Sequence, residues 1–308
     1  MSSPIVVAVE TSRPTQDPVA LGAALAAPTA APVVLAAVYP HQRYPTRATV
    51  VTDAYERDLR ESAAAALAEI AAELDVPGGV QTRVIGAASP ARGLQALAEE
   101  LDPAVLVLGS THRGRIGRVL VGGTAEHLLH GAPCAVAVAK RGAAAEDVGV
   151  RRIGVGYVDT ADGREAVRGA VALARGIGTI LRLITVDEPM PYTSAAIAPA
   201  YSSPELARIV REDRLADLER AASEIHGGIA VEQVLLDGPA APALTEASAD
   251  LDLLVCGSRG YGAVGSALLG SVSRHLVNSA ACPVLVVPRG GAAALERLVE
   301  ATGAEVAG

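Results

Sequence analysis

The second half of this chain repeats the first. Residues 105–142 align without a gap with residues 253–290, at an offset of 148 residues, and 16 of the 38 aligned pairs are identical. The same offset aligns Ile5 with Ile153, so the repeat extends to the start of each half. A chain of 308 residues has room for two domains of ordinary size. The repeat therefore predicts two domains of one fold, over residues 1–143 and 150–290, followed by a C-terminal tail over residues 291–308.

Each half alternates short apolar runs with longer helical patterns. The apolar runs are rich in Val, Ile and Leu, which is typical of strands buried on both faces of a sheet. Five such strands alternating with four helices in each half predict an α/β fold, namely two tandem copies of a five-stranded parallel sheet flanked by helices, of Rossmann-like type. The predicted strands cover residues 5–9, 33–38, 80–85, 104–109 and 134–139 in the first half, and residues 153–158, 180–186, 229–236, 251–257 and 282–287 in the second.

Composition and charge limit the partners and the compartment. With a formal net charge of −8 and 2% aromatic residues, the chain lacks the electrostatics and the stacking rings that favour nucleic-acid binding. Residues 19–38 carry no charge but contain two prolines, and their repeat over residues 167–186 contains three arginines, so we expect no membrane span. The N-terminus has no signal-peptide pattern and the three cysteines have no paired spacing, which favours the cytoplasm.

A spaced glycine pattern follows the fourth predicted strand of the second half. Gly257 is followed by two residues and Gly260, and then by nine residues, Gly270 and Ser271, where a helix is predicted to begin. Ligands of open parallel sheets bind beyond the carboxyl ends of the strands. Glycines allow the backbone to approach a polyphosphate, and the free amides at a helix start favour anions. The pattern therefore predicts a phosphate-binding loop, in which the Ser271 hydroxyl adds a hydrogen bond.

Other patterns in the chain indicate structural roles. Residues 260–265 match the dinucleotide pattern G-x-G-x-x-G, but they follow the fourth strand and lack an acidic residue about twenty positions later. No glycine run is followed by the G-K-[ST] of a P-loop. We expect no metal site, because no cysteine or carboxylate completes a ligand set around the histidines. The remaining interpretations are a structural or solvent-exposed role for His127 and His130, and a role in packing or capping for His275, which repeats His127 at the matching helix position. Cys134 and Cys282 are interpreted as inert buried thiols, and Arg208, Arg211 and Arg214 as a solvated helix face.

Taken together, these features resemble the universal stress protein family, specifically its tandem two-domain members. The resemblance rests on the glycine pattern, on a last strand that begins Cys282-Pro283-Val284, and on a first strand that ends near an acidic residue, and it covers about residues 4–141 and 152–289. It implies an adenine-nucleotide site, usually for ATP, which Mg²⁺ can accompany. The residues implied in the second half are Asp159 near the nucleoside, the backbone of Val186 at the base, and the phosphate loop with Gly257, Ser258, Arg259, Gly260, Gly270, Ser271 and Val272.

The first half departs from the family pattern. His112 stands where the second glycine is expected, Gly123 stands where the Ser or Thr is expected, and Thr124 follows directly. The acidic position is a glutamate, which is one methylene longer than aspartate. We therefore predict a weaker first-half site, on Glu10, Val38, Gly109, Ser110 and Gly122.

The function implied is that of an ATP-binding regulatory protein of the stress or dormancy response. No candidate nucleophile or general base stands in the loop from Gly257 to Ser271, so we expect no catalytic residue and at most slow hydrolysis. The alternatives are a slow ATP-hydrolysing or adenylate-transferring enzyme and a scaffold that has lost nucleotide binding. Because duplication leaves each half with the same sheet edge, we expect an intramolecular pseudo-dimer through the last strands, and further self-association of the whole chain.

Overall fold

Ten strands form where the apolar runs predict them. The computed structural model describes residues 3–11, 16–41, 49–111, 116–145, 149–188, 204–226, 228–259 and 269–305. All ten predicted strands are confirmed, with ends that differ by a few residues. They are β1 (Ile5–Ala8), β2 (Val33–Pro40), β3 (Val80–Ala87), β4 (Val105–Leu108), β5 (Ala135–Val138), β6 (Arg152–Gly156), β7 (Ile180–Asp187), β8 (Val231–Asp237), β9 (Leu253–Gly257) and β10 (Val284–Val287).

The helices of the described residues lie between the strands and after the last one. The uncharged stretch over residues 19–38 forms most of α1 and β2, and no described helix is long and apolar enough to cross a membrane. The helices are α1 (Asp17–Ala26), α2 (Thr49–Glu73), α3 (Pro90–Leu101), α4 (Gly123–Gly131), α5 (Ala161–Ile177), α6 (Pro204–Ser223), α7 (Ala240–Ala247), α8 (Ser271–Ser279) and α9 (Ala292–Glu305).

The strands form one continuous sheet in the order β3-β2-β1-β4-β5-β10-β9-β6-β7-β8. Neighbouring strands are parallel except at the centre, where β5 and β10 pair antiparallel with Ala137 opposite Leu285. The two halves are therefore joined through their last strands, as the duplication predicts. In each half the strand order reverses beside the first strand, between β1 and β4 and between β6 and β9. These two switch points are the places where the fold is expected to bind ligands.

Helices cover both faces of the sheet. One face packs against α1, α2, α5, α6 and α9, and the other against α3, α4, α7 and α8. Each of the two hydrophobic clusters contains residues of both halves, such as Leu35 and Leu183 on the first face. Apart from Tyr157, the buried apolar residues are Val, Leu, Ile, Ala and Cys. The two halves consequently share a continuous core on each side of the sheet.

Residues 292–305, which the sequence analysis leaves outside the two domains as part of a tail, form the packed helix α9. The side chains of Leu295 and Leu298 are fully buried in the cluster that contains α5. On the exposed side of α9, Arg297 donates to the Asp102 carboxylate at 2.6 Å and to the Ser3 hydroxyl at 3.3 Å. Helix α9 therefore contacts both halves.

Two cysteines are buried and two histidines are exposed, which bears on the roles predicted for them. Cys134 and Cys282 are buried free thiols, and burial raises the pKa of each to about 12, so the prediction of inert core thiols is confirmed. His127 and His275 are exposed on α4 and α8. The solvent-exposed interpretation of His127 is therefore confirmed, whereas His275 does not pack in the core, because it lies on the solvent side of α8.

Candidate functional site

The second half has a cavity at the carboxyl ends of β6, β7 and β9. Its volume is about 460 Å³, which falls in the range of small-molecule sites. It lies at the switch point between β6 and β9 and extends toward β7. Eight of the nine residues implied in this half can be placed, and Gly260 lies outside the described residues. Those that line the cavity are Asp159, Val186, Gly257, Arg259, Gly270, Ser271 and Val272.

One end of the cavity is suited to an anion. Helix α8 begins at Ser271, and Gly270 is its N-cap, in extended backbone with φ −60° and ψ 157°. The first amides of a helix have no partner within the helix, and the helix dipole places positive potential there. Arg259 in the same wall adds a cationic side chain. This combination of amides, hydroxyl and guanidinium can bind phosphate oxygens.

Ser258 and Gly257 have structural roles that the glycine pattern does not reveal. The Gly270 amide donates to the carbonyl oxygen of Ser258 at 2.8 Å, which closes the base of the loop, and Ser258 itself is not part of the cavity wall. A β-carbon on Gly257 would lie 2.6 Å from the carbonyl oxygen of Asp162. The absence of a side chain at Gly257 is therefore required by the close approach of α5 to β9.

Asp159 lies in the cavity wall, just after β6. Its carboxylate accepts hydrogen bonds from the Tyr157 hydroxyl at 3.3 Å and from the guanidinium of Arg164. Burial, followed by the charge of Asp159, raises the pKa of Tyr157 to about 12. Tyr157 thus remains a hydrogen-bond donor at neutral pH. The other oxygen of Asp159 lies 3.7 Å from Arg220, which is an ion pair beyond hydrogen-bond distance, so this oxygen can accept from hydroxyl groups of a ligand.

At the end of β7 the backbone of Val186 is in contact with helix α6. Its carbonyl oxygen accepts from Nη1 of Arg214 at 2.5 Å, and Arg214 also donates to the carbonyl oxygen of Glu188 at 3.2 Å. A carboxylate oxygen of Asp187 lies 3.3 Å from the same guanidinium. Arg214, Glu188 and Asp217 all line the cavity beside Val186.

The arginines of α6 therefore do not form a uniform solvated face. Arg208 fits the prediction, because it pairs with Glu205 and Glu212 on the exposed side of the helix. Arg211 is also solvated, with 41% of its side chain exposed, although it forms ion pairs with Asp187 and Asp237. For Arg214 the prediction is wrong, because its side chain is only 22% exposed and contacts the end of β7. These contacts attach α6 to the carboxyl ends of β7 and β8. Their partners are 24 to 28 residues away in the chain, so helical spacing alone could not identify them.

The strand order sets the length of the cavity. The anion end lies over β9 and the Val186 end lies over β7, with β6 between them. Two strand spacings correspond to about 10 Å. Ile184, Leu244 and Ala240 add apolar surface to the cavity wall, whereas Glu188, Arg214 and Asp217 add charged groups beside Val186.

The first half has a cavity in the equivalent position. Its volume is about 690 Å³, and its helix α2 contributes Leu59 and Ser62 to the wall. Ser110 donates to the carbonyl oxygen of Ala139 and accepts from the Leu120 amide. All five residues of the weaker predicted site, Glu10, Val38, Gly109, Ser110 and Gly122, line this cavity.

The two cavities differ at the position of Arg259. The 148-residue offset aligns Arg259 with Thr111, which lines the first cavity and whose hydroxyl oxygen is buried with no hydrogen-bond partner in the described part of the chain. His112, on which the predicted weakness also depends, lies outside the described residues. The structure brings Gly123 and Thr124 into the wall of the first cavity. Within the described residues, no three His, Cys, Asp or Glu side chains cluster as a metal site.

The chain is similar to known proteins over most of its length. A sequence profile described as Universal stress protein family matches residues 1–140 and 149–288. A universal stress protein of Mycobacterium tuberculosis is 33% identical over 203 residues, which cover 65% of this chain and 69% of that protein.

Solved structures show a similar fold. The crystal structure of a universal stress protein from Archaeoglobus fulgidus matches with a TM-score of 0.63 and 20% identity, covering 94% of this chain and 97% of that chain. A putative universal stress protein from Pseudomonas aeruginosa matches with a TM-score of 0.61 and 15% identity, covering 97% of this chain and 98% of that chain. At these identities the two likenesses bear on the fold alone.

Proposed function

The chain belongs to the universal stress protein family, and on that premise we propose that its second half binds an adenine nucleotide, ATP with or without Mg²⁺, as a regulatory ligand in a stress or dormancy response. The observation that carries the proposal is the cavity at the switch point, with an anion-binding end over β9, apolar side chains such as Ile184 and Leu244 in its wall, and the end of β7 with Arg214 at its other end. A nucleotide has a matching order along its length, with phosphates at one end and, at the other, a base with flat apolar faces and a polar edge.

Each part of the nucleotide has a partner of suitable chemistry. The amides at the start of α8, the Ser271 hydroxyl and the Arg259 guanidinium bind the phosphates. The Asp159 carboxylate accepts hydrogen bonds from the ribose hydroxyls. The base lies toward the end of β7, where its faces meet apolar side chains such as Ile184 and Leu244 and its edge meets the strand end that Arg214 contacts. Mg²⁺, where present, is bound by the phosphates and accompanies the nucleotide.

The side chains of the cavity favour binding over turnover. The Ser273 hydroxyl is engaged with the carbonyl oxygen of Gly257 at 2.7 Å, and the Thr185 hydroxyl with that of Tyr157 at 3.2 Å. Burial raises the pKa of Cys256 to about 12, so its thiol is protonated and poorly nucleophilic. We accordingly propose a regulatory protein and not an enzyme. Its three free cysteines suit a reducing cytoplasm, and self-association of the whole chain remains a prediction.

The test begins with the purified full-length chain. Mass spectrometry of the denatured protein identifies any co-purified nucleotide, and calorimetry with ATP and MgCl₂ measures affinity and stoichiometry. We expect binding of ATP, with no release of ADP beyond the uncatalysed rate. Absence of ATP binding at millimolar concentration would overturn the proposal.

Two arginine variants locate the ligand. Arg259→Met should weaken ATP binding about tenfold or more while changing adenosine binding little, because the lost cation contacts phosphate. Arg208→Met is the matched control, since Arg208 pairs with Glu205 and Glu212 on the outer face of α6. Equal ATP affinity in the Arg259 variant and the parent would remove the second-half cavity from consideration.

A further inference from the structure

The polar groups at the β7 end of the second-half cavity are held in one arrangement. The guanidinium of Arg214 donates to the carbonyl oxygens of Val186 and Glu188 and lies 3.3 Å from the Asp187 carboxylate. The Arg214 side chain is 22% exposed, so its position is set by these partners and not by solvent. Arg211, one helical turn earlier, pairs with Asp187 and Asp237 and fixes α6 over the strand ends.

This arrangement changes which hydrogen-bond donors and acceptors face the edge of a bound base. Without Arg214, the carbonyl oxygen of Val186 would be an acceptor facing the cavity at the end of β7. With Arg214 in place, one lone pair of that oxygen is already engaged, which weakens it as an acceptor for the base, and the group presented beside it is a guanidinium, which carries donors and no acceptor. A purine edge with a 6-oxygen offers an acceptor to those donors. A purine edge with a 6-amino group places a donor against them.

The first half provides an internal comparison. There, the helix that covers the equivalent strand ends contributes Leu59 and Ser62 to the cavity wall, where α6 contributes Arg214 and Asp217. The first cavity is larger, about 690 Å³ against 460 Å³. Among the residues that the structure describes, a charged wall from this helix is therefore found in the second half and not in the first.

We propose that Arg214 is a specificity-determining residue of the second-half cavity, which lowers its preference for 6-aminopurine nucleotides relative to 6-oxopurine nucleotides by engaging the carbonyl oxygen of Val186. The inference rests on the proposed function, because it concerns the base of a nucleotide whose phosphates bind at α8. It goes beyond that function in assigning base selectivity to a side chain of α6.

The experiment compares ATP with ITP, which differ in the amino group or oxygen at position 6 of the purine. Calorimetry on the full-length protein with MgCl₂ yields the ratio of the two dissociation constants for the parent, for Arg214→Met and for the control Arg208→Met. We expect the parent to favour ATP over ITP by less than tenfold. In Arg214→Met the ratio should shift about tenfold toward ATP, because one donor–acceptor mismatch is removed. Arg208→Met should keep the parental ratio.

A second variant keeps the proposal testable if the first variant does not fold. If circular dichroism shows that Arg214→Met does not fold, Arg214→Gln is measured in its place. Its neutral amide presents an acceptor as well as donors beside the Val186 carbonyl oxygen, so the ratio should shift in the same direction but by less than in Arg214→Met. A parental preference for ATP of tenfold or more, or an unchanged ratio in the variant that folds, overturns the role of Arg214 alone. Binding of neither nucleotide to the parent overturns the proposed function and this inference with it.

Discussion

Gly257 and Asp162 lie in backbone contact where the end of β9 meets the first turn of α5: a β-carbon on Gly257 would be 2.6 Å from the carbonyl oxygen of Asp162 and 2.9 Å from its carbonyl carbon. The contact is with backbone, so a side-chain rotation cannot relieve it. Asp162 is itself held by Arg289, whose Nε donates to the carboxylate at 3.0 Å. The first glycine of the spaced pattern therefore serves helix–strand packing.

The Gly257→Ala variant should consequently lose stability. The added methyl group forces α5 and β9 apart, and overpacking of this kind costs about 1–3 kcal/mol. Urea denaturation followed by far-UV circular dichroism measures the free energy of unfolding. Gly131→Ala is the control, because a β-carbon there has no heavy atom within 4 Å, so this helical substitution should leave stability unchanged or raise it slightly. A Gly257 variant as stable as the parent would contradict the packing role.

The Gly270→Val variant should bind ATP poorly while remaining folded. A β-branched side chain at the N-cap of α8 hinders the approach of phosphate to the helix amides. The native φ of −60° is open to other residues, so the backbone itself is not strained. Gly270→Ala is the graded comparison and should lose less affinity. Calorimetry that finds equal ATP affinity in parent and Val variant would show that this loop is not part of the site.

Titration with ATP and MgCl₂ should reveal one tight site per chain and a second that is weak or absent. The second half has Arg259 and Ser271 at its anion end, where the repeat has Thr111 and Gly123 in the first half. Loss of one hydrogen bond to a charged oxygen costs about 1–3 kcal/mol, which corresponds to roughly ten- to hundredfold in affinity.

The paired change His112→Gly with Gly123→Ser tests the same difference between the two sites by altering the first half. It restores the glycine and the hydroxyl that the family pattern expects, so the first site should strengthen. Adding Thr111→Arg should strengthen it further by supplying the missing cation. Two sites of similar affinity in the parent would show that the first half is not impaired.

Leu295→Ala should destabilise the whole protein by about 2–5 kcal/mol, because it truncates a fully buried side chain of α9 and leaves a cavity in its place. Since the two halves share one sheet and two hydrophobic clusters, calorimetric unfolding should remain a single transition. Arg297→Met is the control on the exposed side of the same helix and should cost less than about 1 kcal/mol. A Leu295 variant with parental stability would mean that α9 is dispensable.

The free energy of unfolding should fall as pH rises above about 9. Burial raises the pKa of the Cys282 thiol in the folded protein to about 12 from its ordinary value of 9.0. The unfolded chain therefore releases this proton first, and the stabilisation present below pH 9 is lost as the pH approaches 12.

The Cys282→Ala variant isolates this contribution. Between pH 9.5 and 11 its stability should fall less steeply than that of the parent, by up to about 1.4 kcal/mol per pH unit. The comparison uses slopes, because the small cavity left by the substitution lowers stability at every pH. Identical slopes in denaturation experiments would contradict the shift.

The fold could be predicted from the sequence because the apolar runs that form its strands are contiguous in the chain and occur in both halves. Runs such as residues 33–38 are apolar on both faces, and each recurs in the other half at the same offset, so a second copy supports every strand assignment. The loop from Gly257 to Ser271 is likewise contiguous in the chain, and its position after a strand follows from the alternation of strands and helices. Local periodicity and spacing were enough for these features.

The role of Arg214 depends on which strand ends lie against α6, and the sequence did not reveal which strand ends these are. Arg214 contacts Val186 because strand order places β7 under α6, and no helical period connects positions 28 residues apart. The antiparallel pairing of Val136 with Val286 could be proposed from the duplication, but its register is set by the packing of both halves. Periodicity determined which residues are buried in strands, whereas the order and register of those strands, which arise from contacts between distant residues, decided which side chains meet in the cavity.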